Sequence, residues 1–297
     1  MRPLEPGDVV RLVSPSGPTR PDRVARGIEL LEGWGLRVEL GKHVFAEAGY
    51  LAGSDRDRLD DLNNALADPR VSAVVCTRGG YGMQRIVDGV RLREPKHVVG
   101  FSDITALQLA LWRTARLPSI HGPGAAWFDD RLPEASALSL RSALMTADEL
   151  IVRQETDEAT IHGEPVRGTL LGGNLTMLAT TLGTPDMPDL SGAILLLEDV
   201  GEAPYRIDRM LTQLLRAGVL AGVRGVALGQ FTGCADHRPV TAQEVLLERL
   251  ASLDRPVLGG LPIGHGFGQR TVVVGTPAIL DTRQGVLRSR EQRYQGD

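Results

Sequence analysis

The chain has 297 residues, 42% of them hydrophobic and 24% charged, which is ordinary globular composition and enough length for two medium-sized domains. A formal net charge of -4 and a pI near 5.9, with no cluster of Lys/Arg free of nearby acids, exclude a general attraction for nucleic acid or anionic lipid. The two cysteines, Cys76 and Cys234, imply no disulfide framework, and apolar runs such as "SGAILLLEDV" stop well short of the ~20 residues that span a bilayer.

The N-terminus, "MRPLEPGDVVRLVSPSG", is interrupted by acids and prolines where a signal peptide needs an unbroken apolar stretch, so a cytoplasmic protein is expected. From there to about residue 130, apolar runs alternate with helical periodicity. Predicted strands are 8–15, 36–41, 71–77, 97–101 and 118–123; predicted helices are 20–35, 54–68, 82–90 and 102–115. Alternation of this kind signals strand–helix–strand units and a mostly parallel sheet flanked by helices. Residues 131–165 are rich in charge and loop formers, with one helix at 134–146, and read as the crossing between domains.

After the crossing come the apolar runs "ATIHGEPVRGTLLGG", "SGAILLLEDV", "VRGVALGQF", "PVLGGLPIG" and "RTVVVGTPAILDT", interleaved with helices "PYRIDRMLTQLLRAG" and "TAQEVLLERLASL". The stretch "TPAILDTRQGVLRS" reads as a closing hairpin. The expected organisation is therefore an N-terminal α/β domain over 1–130, a linker over 131–165, and a smaller, β-rich C-terminal domain with helices over 166–297. No internal repeat or low-complexity segment interrupts it.

Glycines cluster where predicted strands end, in "TRGGYG", "HGPG", "LGGN" and "IGHGFG". Ligands of open α/β sheets bind outside the carboxyl ends of the strands, so each cluster is a candidate. Ser102 in "GFSDI" lies between a strand and a helix, where a nucleophile elbow would present its hydroxyl. The motif lacks the second glycine of G-x-S-x-G, and spacing alone favours Ser102 as a helix cap. Gly79 and Gly80 permit close backbone approach to a ligand, or simply a tight turn. Glu198 and Asp199 end an apolar strand; being adjacent, they point to opposite faces, and only one can face a given site.

Of the six histidines, His43, His97, His162 and His237 read as surface or satisfied core residues. His121 stands at a strand end. His265, on a glycine-flanked loop, is a candidate general base. Metal-ligand spacings such as H-E-x-x-H or C-x-x-C are missing, as are phosphate-loop and dinucleotide signatures, so no cofactor is expected.

In order, "TRGGYG", "GFSDITAL", "HGP", "GGNLTML", "LLLEDVGEAPYRIDRML" and "PIGHG" resemble the LD-carboxypeptidase family of serine peptidases. That family includes the muropeptide LD-carboxypeptidases and the microcin C immunity proteins. The resemblance implies a metal-independent catalytic triad of Ser102, Glu198 and His265, with Glu198 rather than Asp199 turned to the site. It implies oxyanion donors at the backbone N–H groups of Gly79 and Asp103. The implied substrate is the amide between a diamino acid and terminal D-alanine in a murein tetrapeptide, and relatives are commonly homodimers. Arg78 and Arg206 are candidates for binding the substrate carboxylate, or for ordinary surface ion pairs. Where relatives often read "HGPM", this chain has "HGPGAAWFDD"; Trp127 and Phe128 there either pack the domain junction or stack on a base, as an aminoacyl-nucleotide substrate would require. A binding protein that kept the scaffold without turnover is the non-enzymatic alternative.

Overall fold

A computed structural model describes residues 1–127 and 133–290. Phe128 lies outside the described residues. In the first half, strands β1 (Val9–Val13), β2 (Arg37–Leu40), β3 (Val71–Cys76), β4 (His97–Gly100) and β5 (Ser119–His121) alternate with helices α1 (Pro21–Gly33), α2 (Asp55–Ala67) and α3 (Thr105–Ala115). Local chemistry accounts for several boundaries. Pro21 opens α1, where its missing N–H costs nothing, and a capping box between Ser54 and Asp57 starts α2.

The second half continues with α4 (Glu134–Met145), β6 (Leu150–Arg153), β7 (Val166–Asn174), α5 (Leu175–Thr181), β8 (Ala193–Val200), α6 (Pro204–Arg216) and β9 (Gly225–Thr232). It closes with α7 (Ala242–Ala251), β10 (Val257–Leu258), β11 (Val272–Val274), β12 (Pro277–Asp281) and β13 (Val286–Ser289). A Thr241–Glu244 capping box starts α7, and α6 buries Ile207, Leu211 and Leu214 at helical spacing.

Two sheets result. The first has the order β11-β5-β4-β3-β1-β2 and is parallel apart from β11, which pairs antiparallel with β5. The second has the order β10-β9-β8-β7-β12-β13-β6, with a parallel half through β10, β9, β8 and β7 and an antiparallel half ending in the predicted hairpin β12–β13. The second sheet has seven strands to the first sheet's six.

Three local expectations change. Residues 82–90 form two one-turn 3-10 helices, Met83–Arg85 and Val87–Gly89, instead of one helix. Gly82 enters at φ 126, the Met83 N–H donates to the Asp103 carboxylate at 2.8 Å as a cap would, and Ile86, at φ -120 and ψ -6, leaves the helical region and separates the two turns. Within 131–165, α4 sends Leu140, Ala143 and Leu144 into the core of the first sheet, while β6 forms an edge of the second. Finally, β11 leaves the C-terminal half to complete the first sheet. The crossing is thus woven into both layers.

Helix α3 sits at the junction. Its Leu107 and Leu111 pack with the first sheet, whereas Leu109 joins the core under the second. Thr105 through Leu111 are all buried. Whatever precedes α3 is therefore held where the two sheets meet.

Candidate active site

The segment before α3 is the candidate nucleophile turn. After β4, Phe101 is extended and Ser102 switches to φ 63, inside the left-handed region that costs a non-glycine residue about 1–3 kcal/mol. Ser102 then opens a single 3-10 turn, Ser102–Ile104, that runs into α3. The N-cap positions are Phe101 for that turn and Ile104 for α3, and neither supplies a side-chain cap bond. Capping does not explain Ser102; its strained backbone turns it into a cavity of about 690 Å³ that it shares with Gly79, Gly80, Arg78, Phe101, Trp127 and His265.

Gly79 meets Ser102 so closely that no side chain fits. A Cβ there would stand 2.6 Å from Ser102 Cβ, 2.8 Å from its Oγ and 3.1 Å from the Asp103 nitrogen. The Gly79 backbone therefore packs directly against the Ser102 side chain and beside the Asp103 nitrogen. Asp103 itself faces inward: its Oδ2 accepts from Ser16 Oγ at 2.6 Å and from the Met83 N–H. Burial pushes its carboxyl above the usual range, opposed by those hydrogen bonds and by the Arg58 charge. Arg58 is fully buried; it donates to the carbonyls of Pro15 and Gly82 and pairs with Asp55. These two residues tie the "SPSG" and "TRGGYG" loops to the serine turn. Motif reading named Asp103 only for its backbone N–H and did not single out Arg58, whose carbonyl partners lie far from it in sequence.

Glu198 lies near the end of β8, between β7 and β9, and is completely buried. Its Oε2 lies 2.6 Å from His265 Nδ1. Burial pushes the Glu198 carboxyl up from its ordinary value, and the charge and hydrogen bond of His265 work against that shift. Gly264, at φ 128, is required by contact as well as by backbone: a Cβ would fall 2.7 Å from Glu198 Oε2. The His265 ring packs on Phe101, with centroids 4.7 Å apart, and edge-on against Trp127 at 5.9 Å. With Nδ1 directed at Glu198, Nε2 is the nitrogen left for chemistry.

Asp199 takes the other face, as strand alternation requires. It accepts from Asn174 Nδ2 at 2.9 Å and from the N–H and Oγ1 of Thr176 at 2.9 and 2.8 Å, fixing the start of α5. Trp127 serves the junction and also lines the cavity. Arg78 is exposed on the cavity wall, joined there by Arg20 and Arg23, which the motifs did not single out. Arg206 is engaged elsewhere: it lies 3.5 Å from Glu202, bonds Tyr205, and is not among the cavity's lining residues.

Other reactive groups are muted. Burial pushes the thiols of Cys76 and Cys234 up to about 12 and about 11, so neither competes as a nucleophile. His97 bonds the Arg2 carbonyl and His162 the Thr282 carbonyl. His121 is wholly buried, and neither ring nitrogen has a hydrogen-bond partner among the described residues. Burial, reinforced by the nearby His265, lowers it to about 3, so it is neutral. No group of three or more His, Cys, Asp or Glu side chains suited to a metal ion occurs among the described residues.

Known proteins resemble this chain in sequence and in fold. The sequence model of the LD-carboxypeptidase N-terminal domain matches residues 10–122, and that of the LD-carboxypeptidase C-terminal domain matches residues 167–280. The murein tetrapeptide carboxypeptidase of Pseudomonas aeruginosa is 36% identical over 290 residues, spanning 92% of this chain and 92% of that protein. The solved muramoyltetrapeptide carboxypeptidase of Oxalobacter formigenes superposes with a TM-score of 0.83 at 31% identity, covering 94% of this chain and 97% of that one. A structure of the microcin C7 self-immunity protein MccF shares the fold, with a TM-score of 0.89 at 23% identity and 98% of both chains covered. With both family domains matched in order and more than a third of its residues shared with a full-length relative, the chain belongs to the LD-carboxypeptidase family.

Proposed function

We propose that this protein is a metal-independent serine carboxypeptidase that hydrolyses the L,D-amide between a diamino acid and the terminal D-alanine of a murein tetrapeptide. The observation that carries the reading is the 2.6 Å pair of His265 with the buried Glu198, with His265 lining the same cavity as a strained Ser102. The first unit, 1–130, contributes nucleophile and oxyanion donors; the second, 166–297, contributes acid and base.

In this mechanism His265 Nε2 takes the Ser102 proton as Oγ attacks the scissile carbonyl. Glu198 holds the imidazole in the required tautomer and stabilises the imidazolium that forms. The Gly79 and Asp103 N–H groups receive the developing oxyanion. The imidazolium then protonates the departing amine of D-alanine, leaving an acyl-enzyme on Ser102 that water hydrolyses with His265 again as base. Arg78 and Arg23 line the cavity together with Arg20, which also pairs with Asp22, and these cations suit the free terminal carboxylate of the substrate. The protein is read as a cytoplasmic homodimer acting on released wall peptides; no helix among the described residues is long and apolar enough to cross a membrane.

Trp127 on the cavity wall favours a second reading, hydrolysis of an aminoacyl-nucleotide amide. Release of D-alanine from a murein tetrapeptide is the test of the first, with Ser102→Ala expected to lower turnover by about 10⁴-fold or more. No release by the wild type, or equal release by the variant, refutes it. Faster cleavage of an aminoacyl sulfamoyl-adenosine than of the tetrapeptide would favour the second.

A further inference from the structure

Strand β9 is irregular where it meets β8. Leu197 pairs with Leu228 and Asp199 with Phe231, so Gly229 and Gln230 together stand opposite Glu198. A two-against-one bulge of this kind bends a strand and re-aims a side chain. Here the side chain is aimed at the loop that carries His265. A Cβ on Gly229 would lie 2.1 Å from the Ile263 carbonyl oxygen and 3.1 Å from Glu198 Cβ, so the loop's main chain packs directly on the strand. The Gln230 N–H donates to that Ile263 carbonyl at 2.7 Å.

The Gln230 amide then straddles the histidine. Its Oε1 accepts from the Gly266 N–H at 2.8 Å, and its Nε2 donates to the Phe267 carbonyl at 2.9 Å. One side chain thus binds the two residues that follow His265, while its own N–H binds the residue two before it. Packing does little for this stretch from the solvent side: Phe267 is 69% exposed, and a Cβ on Gly268 would meet nothing within 4 Å. The hydrogen bonds from Gln230 join the Leu261 N–H bond to the Leu228 carbonyl and the His265–Glu198 pair in holding the loop beside β8 and β9.

We propose that Gln230 is a positioning residue for His265, acting through the backbone of its loop. The proposal rests on His265 being the general base, so its test pairs a kinetic readout with one that needs no turnover. Gln230→Met removes both amide hydrogen bonds at similar volume. Gln230→Glu keeps an acceptor for the Gly266 N–H and loses the donor to the Phe267 carbonyl. A misplaced base predicts a fall in kcat for D-alanine release of about 100-fold in Gln230→Met and about tenfold in Gln230→Glu. KM should stay within about twofold, because substrate contacts are untouched. In proton NMR, the downfield Nδ1 signal of the His265–Glu198 hydrogen bond should broaden in Gln230→Met and survive in Gln230→Glu. An intact Nδ1 signal with wild-type kcat in Gln230→Met overturns the proposal. So does a loss of kcat that follows only the folded fraction measured by circular dichroism. If the wild type releases no D-alanine while Gln230→Met still broadens the Nδ1 signal, the functional reading falls and the positioning role stands.

Discussion

The two halves of the site are built by different physics. Around Ser102 the work is done largely by the backbone: a left-handed serine, a glycine pressed against it, and buried side chains, Asp103 and Arg58, that each bind main chain of neighbouring loops as well as a side chain, Ser16 and Asp55 respectively. Around His265 it is done by side-chain charge. A fully buried carboxylate is aimed at one ring nitrogen across 2.6 Å, and two aromatic rings fix the plane of the imidazole. The division suits the tasks proposed for the two halves. An oxyanion is best met by peptide N–H groups that cannot relax away from it, whereas a proton shuttle needs a partner that prefers one tautomer.

Breaking the electrostatic half has the larger expected effect. Glu198→Gln keeps shape and removes the charge that selects the tautomer, so kcat should fall by about 10⁴-fold with little change in KM, measured by D-alanine release. Breaking the backbone half costs less. Gly79→Ala pushes a methyl against Ser102 and the Asp103 nitrogen, and a loss of about 10²–10³-fold in kcat is expected from a displaced oxyanion donor. Equal losses from the two variants would dissolve the distinction.

Two stability measurements sharpen it. His121 is held neutral at about 3 in the fold against an ordinary 6.5. The unfolded chain binds the extra proton in that window, so this residue's contribution is intact above pH 6.5 and is lost as pH falls toward 3. Between pH 6.5 and 5 the loss should be about 2 kcal/mol. Denaturant unfolding of the wild type and His121→Gln at both pH values checks it, the variant losing less on acidification; equal losses would show that His121 does not titrate on unfolding. The smallest effect concerns backbone strain. Ser102→Gly should abolish activity and yet stabilise the fold by about 1 kcal/mol, because glycine adopts φ 63 without the Cβ conflict. Destabilisation instead would mean that the turn is relaxed.

Much of the fold was legible in local pattern. Apolar runs bounded by glycines located β1, β3, β4 and β8 within a few residues, and Pro21, Ser54 and Thr241 marked helix starts by chemistry that needs no distant partner. The stretch 82–90 misled because its periodicity is helical while Ile86, at φ -120, breaks the run into two separate turns. At the site, residues carried by recognisable motifs, Ser102, Gly79, Glu198 and His265, could be named in advance. Arg58, Asp103's carboxylate and Gln230 could not be given roles, because each acts through a contact distant in sequence.

By itself, then, the sequence determined which segments become strands and helices, and which residue types stand at strand ends, since propensity, capping and alternation act over a few neighbours. Tertiary structure decided the rest. It sent β11 to the first sheet and β6 to the second, because an apolar strand carries no label for the edge it will join. It turned Ser102 from a cap into a presented hydroxyl, through a φ that only the packed junction around α3 enforces. It also set Glu198 against His265 and Asp199 against α5, a choice between adjacent carboxylates that depends on what lies on each face of β8.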